Sequence, residues 1–134
     1  MSFSYGISLQ VHHPDADPTD IARGVGLPVN RSWKLGQPRV TPRGTALAGH
    51  YDATYCLFDL GAGNDGELAE RLQAIVAALI PRRDFLLGLR ATGGSINFYI
   101  TWTVGERGEM FDCSLLSDLV GLGIDLGIEP IGDE

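Results

Sequence analysis

The sequence predicts an α+β fold in which two pseudo-repeated β-α-β units build one mixed, mainly antiparallel sheet with helices packed on it. Three observations lead there. Apolar residues alternate with polar ones in well-separated runs, the period-2 mark of half-buried strands. A long central segment carries its leucines at helical spacing. The two ends of the chain also match each other at a constant offset of 95 residues. At 134 residues one domain over residues 1–134 is expected, large enough to stand without a metal or disulfide staple.

The elements follow in order. Phe3, Tyr5, Ile7, Leu9 and Val11 alternate as a first strand, and His12 to Asp17 reads as a loop. Asp17 is a suitable N-cap with Pro18 at the first helical position, and the short helix buries Ile21 and Val25 before ending at Gly26. Pro28 to Arg43 reads as irregular or edge structure, with a short strand near Arg31 to Leu35, because its prolines and glycines oppose a central strand. Tyr51 to Leu60 is a second strand with Tyr51, Ala53, Tyr55 and Leu57 on one side and Cys56 and Phe58 on the other, a pattern that suits cover on both faces. Gly61 to Gly66 reads as a turn. Asn64 or Asp65 then caps the longest helix, whose stripe is Leu68, Leu72, Ile75, Val76, Leu79 and Ile80. Pro81 breaks or kinks it before a further turn or two through Phe85, Leu86 and Leu89, and Gly93-Gly94 stops it. Ile96, Phe98, Ile100, Trp102 and Val104 form a third strand, followed by a polar loop from Gly105 to Glu109. Asp112 caps a helix carrying Leu115, Leu116, Leu119 and Val120 and ended by Gly121 or Gly123; Ile124, Leu126 and Ile128 make a last strand that Pro130 stops.

The repeat aligns Phe3 with Phe98, Ile7 with Trp102 and Leu9 with Val104, so the inward phases of the two strands agree. Asp17 aligns with Asp112, Ile21 with Leu116, and Val25-Gly26-Leu27 with Val120-Gly121-Leu122. Each end thus spells strand, capped helix, glycine, strand, with the long helix between them.

Composition narrows the function. The net charge of −7 opposes general nucleic-acid binding, which needs a positive face. No apolar run reaches the length of a membrane helix, and Met1-Ser2-Phe3-Ser4-Tyr5 has no basic stretch leading into an apolar block, so a cytoplasmic protein is expected. Cys56 and Cys113 are too few for a disulfide framework and read as reduced thiols.

Catalytic and cofactor signatures are weak. His12-His13-x-Asp15-x-Asp17 has permissible metal-ligand spacing, but Asp17 is claimed by the helix cap and adjacent strand-end histidines point apart, so a surface loop is the better reading and no metal is expected. Cys113 at a helix start has only His12, His13 or His50 as a base, and Cys56 sits mid-strand. Gly61-x-Gly63-x-x-Gly66 follows a strand and precedes a helix, yet no acidic residue ends a following strand where a dinucleotide site needs one. No catalytic residue and no cofactor are assigned.

Charge distribution is more informative. Between Ile21 and Tyr51 there is no Asp or Glu, while Arg23, Arg31, Lys34, Arg39 and Arg43, half of the ten basic residues, all fall there. Within it Arg31-Ser32-Trp33-Lys34-x-Gly36 places an aromatic between cations, followed by Arg39, Arg43 and His50-Tyr51. That is how a protein holds an anion or docks an acidic surface. Trp33 has a competing use as a plug at one end of the core. The candidate binding residues are Arg31, Trp33, Lys34, Arg39, Arg43, His50 and Tyr51.

Taken together, Arg31-Ser32-Trp33-Lys34-Leu35-Gly36, the helix through Leu68, Leu72 and Leu79, and Leu115 to Ile128 resemble a bacterial family of small α+β proteins catalogued only as a domain of unknown function. The resemblance spans nearly the whole chain, with the Arg-Ser-Trp loop its distinctive part; Tyr51-Asp52 departs from it where a tryptophan would stand. It implies the strand and helix order above and no catalytic residues. By analogy with other small bacterial families it suggests an immunity-type protein that neutralises a toxin.

The expected function is therefore a non-catalytic binding or interaction protein that uses its basic loop against an acidic protein partner or ligand. The alternative is a small-molecule or anion-binding domain; an enzyme using His12, His13, Asp15 or His50 ranks third. A homodimer through an uncovered sheet edge is compatible with the pattern but not specified by it.

Overall fold

Alternation along the first run becomes β1 (Phe3–His13), the middle strand of a five-stranded sheet in a computed structural model that describes residues 3–64, 66–103 and 108–132, the side chains of 3 and 4 apart. Helix α1 (Pro18–Val25) follows, then β2 (Arg31–Trp33), a hairpin of β3 (Pro38–Val40) and β4 (Ala46–His50), and β5 (Thr54–Asn64). Helix α2 (Leu68–Leu79) runs through a 3-10 turn at Ile80–Arg82 into α3 (Arg83–Ala91); β6 (Ser95–Thr103), α4 (Cys113–Leu122) and β7 (Asp125–Ile131) complete the chain. The sheet order is β2-β5-β1-β6-β7, antiparallel except for the parallel β6–β7 pair.

The architecture is the predicted one, α+β with two β-α-β units. The first unit is split, since β5 lies between β1 and β2, and the connection from β5 through α2 and α3 to β6 is split around β1 in turn. These two interlocked crossovers have the topology of the split β-α-β, ferredoxin-like arrangement, to which α4 and β7 add a fifth strand. Tyr5, Ile7, Leu9 and Val11 point to one face, where they join Cys56, Phe58, Ile96, Phe98 and Ile100 in a core closed by Ile21, Leu72, Val76, Leu86, Leu115 and Leu119 from the helices. Helices cover that face alone; among the described residues the opposite face of the sheet carries none.

Caps explain where the helices begin. The Asp17 carboxylate accepts from the Thr19 N–H at 2.8 Å and Asp112 accepts from Leu115 N–H at 2.9 Å, the matched pair the repeat anticipates. Helix α2 starts differently. Asp65 lies outside the described residues, and Asn64 does not cap with its side chain; Glu67 reaches back to accept from Asn64 N–H at 3.1 Å, while Glu109, 40 residues on, accepts from Ala69 N–H at 3.0 Å. A carboxylate there also meets the positive end of the helix dipole.

The repeat holds at the N-caps and at Ile7 and Trp102, which both pack into the core, and departs in the helices. Ile21 and Val25 are buried, but their counterparts Leu116 and Val120 are 44% and 79% exposed, and Leu115, Leu119 and Leu122 face the core instead. Gly123 at φ 71° ends α4, whereas Gly121 remains inside it. The first crossover spans an intervening strand while the last joins neighbours, and the two helices meet the sheet on faces one residue apart. Phe3 and Val104, the outer members of the strand match, have side chains outside the described residues.

Four boundaries differ from expectation. The predicted turn at Gly61 to Gly66 is strand as far as Asn64: Leu60 and Gly61 oppose Ile7 alone, a bulge that needs the φ of +98° at Gly61. Gly63 leaves room for the Tyr5 ring, which packs where a Cβ would stand. The first strand runs on through His13, and β7 continues past Pro130, which a strand tolerates only at a sheet edge where its missing N–H faces outward. The second strand begins at Thr54, because 38–50 forms the unanticipated hairpin, turned by Thr41 to Thr45 with Thr41 N–H donating to Thr45 C=O at 2.8 Å.

Gly63→Ala should destabilise the protein by about 1–3 kcal/mol through overpacking against Tyr5. Gly88→Ala, where a Cβ meets nothing within 4 Å on helix α3, should stabilise it by up to about 1 kcal/mol. Urea unfolding of both variants checks the pair.

Candidate binding cleft

The helix-free face can be read row by row from the strand register. Trp33, Tyr55, His12 and Ser95 stand side by side on β2, β5, β1 and β6. The next row is Arg31, Leu57, Gln10, Asn97 and Asp125, and the next Asp59, Ser8, Tyr99 and Gly127. Each is the outward half of an alternation whose inward half fills the core.

The first row is an aromatic ladder. Trp33 stacks on Tyr51 with ring centroids 4.4 Å apart and planes 9° apart, and on Tyr55 at 4.5 Å; Tyr55 in turn meets His12 at 4.8 Å. The Arg31 guanidinium lies 5.0 Å from the Trp33 ring centre, a cation–π contact. Burial pushes the Tyr55 hydroxyl up from its ordinary value, with a Gln10 hydrogen bond and Arg31 opposing, so it stays neutral at pH 7.

The hairpin is tied onto this ladder. The Tyr51 hydroxyl donates to Val40 C=O at 3.0 Å and accepts from Val40 N–H at 3.1 Å, and Arg31 donates to the same carbonyl at 3.0 Å. At its base Gly36 N–H donates to Tyr51 C=O at 2.9 Å and Tyr51 N–H to Gln37 C=O at 3.0 Å. Leu35 N–H donates to Thr54 Oγ1 at 3.2 Å, and that hydroxyl donates to Ala16 C=O at 2.7 Å. Between hairpin and ladder lies a cavity of ≈ 520 Å³, lined by Arg31, Trp33, Arg39, His50, Tyr51 and Tyr55 among others. The size suits one small ligand or the anchoring side chains of a protein segment.

Five of the seven predicted residues thus line one cleft. Lys34 does not: its ammonium turns to Asp17 at 3.5 Å, an exposed pair of little energetic weight. Arg43 stands apart at the hairpin tip, exposed. Among the described residues no carboxylate lies within ion-pair distance of Arg31, Arg39 or Arg43, although Asp52 is on the cleft wall. Arg39 donates to Ala48 C=O at 3.3 Å, which stiffens the arm without neutralising the charge. Trp33 is half-buried on the helix-free face, so it does not plug the core.

Tyr55 and His12 belong to the ladder and were not among the expected residues. Their signal is strand phase: Tyr55 shares its side with Leu57, opposite Cys56 and Phe58, and Arg31-x-Trp33 shares one phase on the neighbouring strand.

The histidines do not converge on a reaction centre. His12 faces the ladder, while His13, next along the strand, is buried on the other side. There His13 Nδ1 accepts from Asp15 N–H at 3.2 Å and Ala16 N–H at 3.0 Å, which leaves Nε2 to donate to Thr92 Oγ1 at 2.7 Å. A ring nitrogen occupied as an acceptor carries no proton, so the Asp15 carboxylate at 3.4 Å forms no ion pair with it. His13 is a loop staple. Among the described residues no group of three or more His, Cys, Asp or Glu is placed to hold a metal ion, and no helix is long and apolar enough to cross a membrane.

The two thiols differ sharply. Cys113 is exposed at the start of α4, while burial pushes the Cys56 thiol up to about 11 and its Sγ lies 3.7 Å from Pro18 C=O. A disulfide-exchange reagent should label Cys113 alone in the native protein at pH 8 and both cysteines in denaturant. The raised folded-state pKa also carries a sign: above the ordinary thiol value of 9.0 the unfolded chain releases a proton that the folded one keeps. Stability should therefore fall between pH 9 and about 11, and Cys56→Ala should flatten that part of the pH–stability curve.

No protein-family model matches the chain, and no curated protein and no solved structure matches it.

Proposed function

We propose that the chain is a non-catalytic binding protein that grips an acidic partner with its hairpin arm and the aromatic–cationic end of its open sheet face. The carrying observation is that Arg31 and Arg39 are gathered beside the Trp33 ladder, with Arg43 at the tip of the same hairpin, and that none of the three has a carboxylate in ion-pair distance among the described residues. Charges kept for internal pairing would have found partners in a chain with 17 acidic residues. Tryptophan, tyrosine and arginine, which make up this end of the face, are also the side chains that concentrate binding energy at protein interfaces. The acidic balance elsewhere steers the molecule away from nucleic acid.

The Arg31-Ser32-Trp33 loop, on which the expected resemblance to a bacterial family rests, supplies the strand on which the ladder is built. Within that family resemblance an immunity-type role in the cytoplasm, covering an acidic surface of a toxin, is one form the binding takes.

The cavity of ≈ 520 Å³ favours a second reading, a small anionic ligand held between Arg31 and Arg39 over the Tyr51 ring.

A labelled poly-glutamate peptide followed by fluorescence anisotropy tests the first reading. The protein should bind it in a salt-dependent manner, Arg31→Glu/Arg39→Glu/Arg43→Glu should weaken binding by about tenfold or more, and Arg23→Glu, which alters a cation already paired with Asp20, should not. Equal binding by the triple variant rejects the assignment. A thermal-shift series with phosphate, nucleotides and small carboxylates tests the second reading: a stabilising shift that Trp33→Ala abolishes supports it, and a flat series removes it.

A further inference from the structure

We infer that the acidic surface met by this cleft is the far margin of the same face on a second copy of the chain, so that two open sheet faces pack on each other as a homodimer. This inference rests on the binding reading above and names the partner.

The face is electrically two-ended. Its β2 margin carries Arg31 and the hairpin arm with Arg39 and Arg43. Its β7 margin carries Asp125 and Glu129, both exposed, with the Asp125 carboxylate also 3.7 Å from Arg90 in an exposed pair of little energetic weight, and Asp59 lies one row along on β5. The sheet order β2-β5-β1-β6-β7 places β1 at the centre, so a two-fold axis along β1 sets β2 of one copy over β7 of the other and β5 over β6. The register then decides which residues meet. Arg31 and Asp125 share a row and become opposed across the axis. Asp59 and Tyr99 share the next row and become opposed in the same way, a carboxylate against a phenol hydroxyl. Leu57 comes over Asn97, and Gln10, already accepting from Asn97 Nδ2 at 3.1 Å, meets its own copy on the axis.

Aligned sheets pack about 10 Å apart with a relative twist near 30°, which Arg and Asp side chains together can bridge. The middle of the face is built for cover: Gly6, Ser8, Gly61 and Ala62 form a shallow trough beside Leu57 and Tyr99 in which side chains from above can seat. Four rows, of which the three-residue β2 reaches only two, give about 550 Å² of face. Two such faces bury about 1,100 Å², just above the roughly 1,000 Å² that a specific interface needs, before the arms add to it. The arms rise at the β2 margins beside the Trp33 and Arg31 rows and so flank the partner's β7 margin at Asp125, with Glu129 two rows further along. A dimer in the micromolar range is expected, held by matched charges against the mutual repulsion of two chains of net charge −7.

Sedimentation equilibrium with charge-swapped variants tests this. The wild-type protein should dimerise. Arg31→Glu/Arg39→Glu should be monomeric, as should Asp125→Arg/Glu129→Arg, each weakened by about tenfold or more. Asp59 is left intact because its carboxylate also holds Gly61 N–H at 3.0 Å, and circular dichroism verifies that both variants fold. Mixed in equal amounts, the two should dimerise again. In the mixed dimer the glutamate introduced by Arg31→Glu faces the arginine introduced by Asp125→Arg, and the native Arg31 of one variant faces the native Asp125 of the other, so both contacts are attractive. Misfolding cannot produce that rescue. A monomeric wild type overturns the inference, as do variants that stay dimeric or a mixture that stays monomeric. In each of those cases the poly-glutamate titration separates the two claims. If the peptide still binds and the arginine variant loses it, the cleft has a different acidic partner; if it does not bind, the binding reading fails as well.

Discussion

Strict alternation along β1 governs the rest of the molecule. This strand has a hydrogen-bonded neighbour on each side, so a slip by one residue would exchange its two faces and drive Ser8, Gln10 and His12 into the core. Because Ile7, Leu9 and Val11 are fully buried and flanked by Phe58, Phe98 and Ile100, that slip is prohibitively unfavourable. The same periodicity that locks the interior also sets out the exterior in rows, and it is this secondary consequence that assembles the binding face.

The face is not an accidental remainder of the core. An antiparallel sheet solvated on one side usually shows polar side chains in mixed order. Here the side chains are sorted: rings and cations at one corner, small residues in the middle, and Asp125 and Glu129 at the opposite margin. The Tyr51 hydroxyl, closing on both polar groups of Val40, holds the hairpin at a fixed height above Trp33, so the cleft exists before anything enters it. A preformed cleft spares a partner much of the cost of ordering its receptor.

Much of this was legible before the structure. Strand phases were readable wherever β-branched and aromatic residues alternate, as in Ile96 to Trp102, and caps were readable where Asp precedes an apolar run, as at Asp17 and Asp112. The hairpin was not, because its signals conflict. Pro38, Pro42, Gly44 and Gly49 speak against strand, while the interactions that make it one, Tyr51 onto Val40 and Arg31 onto the same carbonyl, are tertiary. The glycines after Leu60 mimic a turn for a related reason. A glycine that gives a bulge its positive φ or yields space to a tyrosine looks, in one dimension, like a glycine that reverses the chain. The binding residues were located by charge and aromatic composition, which marks a segment; Tyr55 and His12 come from other strands and join the site only through register. Gly121 and Gly123 show the finer limit, since either could end a helix and only packing of Leu122 against the core selects the second.

Pro130 gives the fold one last property. An unguarded β7 would offer its backbone to any passing extended chain, and identical molecules could then add edge to edge without end. A proline in that strand interrupts the donor series, and at the other border β2 is only three residues long. Growth along the sheet is thereby discouraged at both borders, leaving association that closes on itself in preference to association that runs on into fibres.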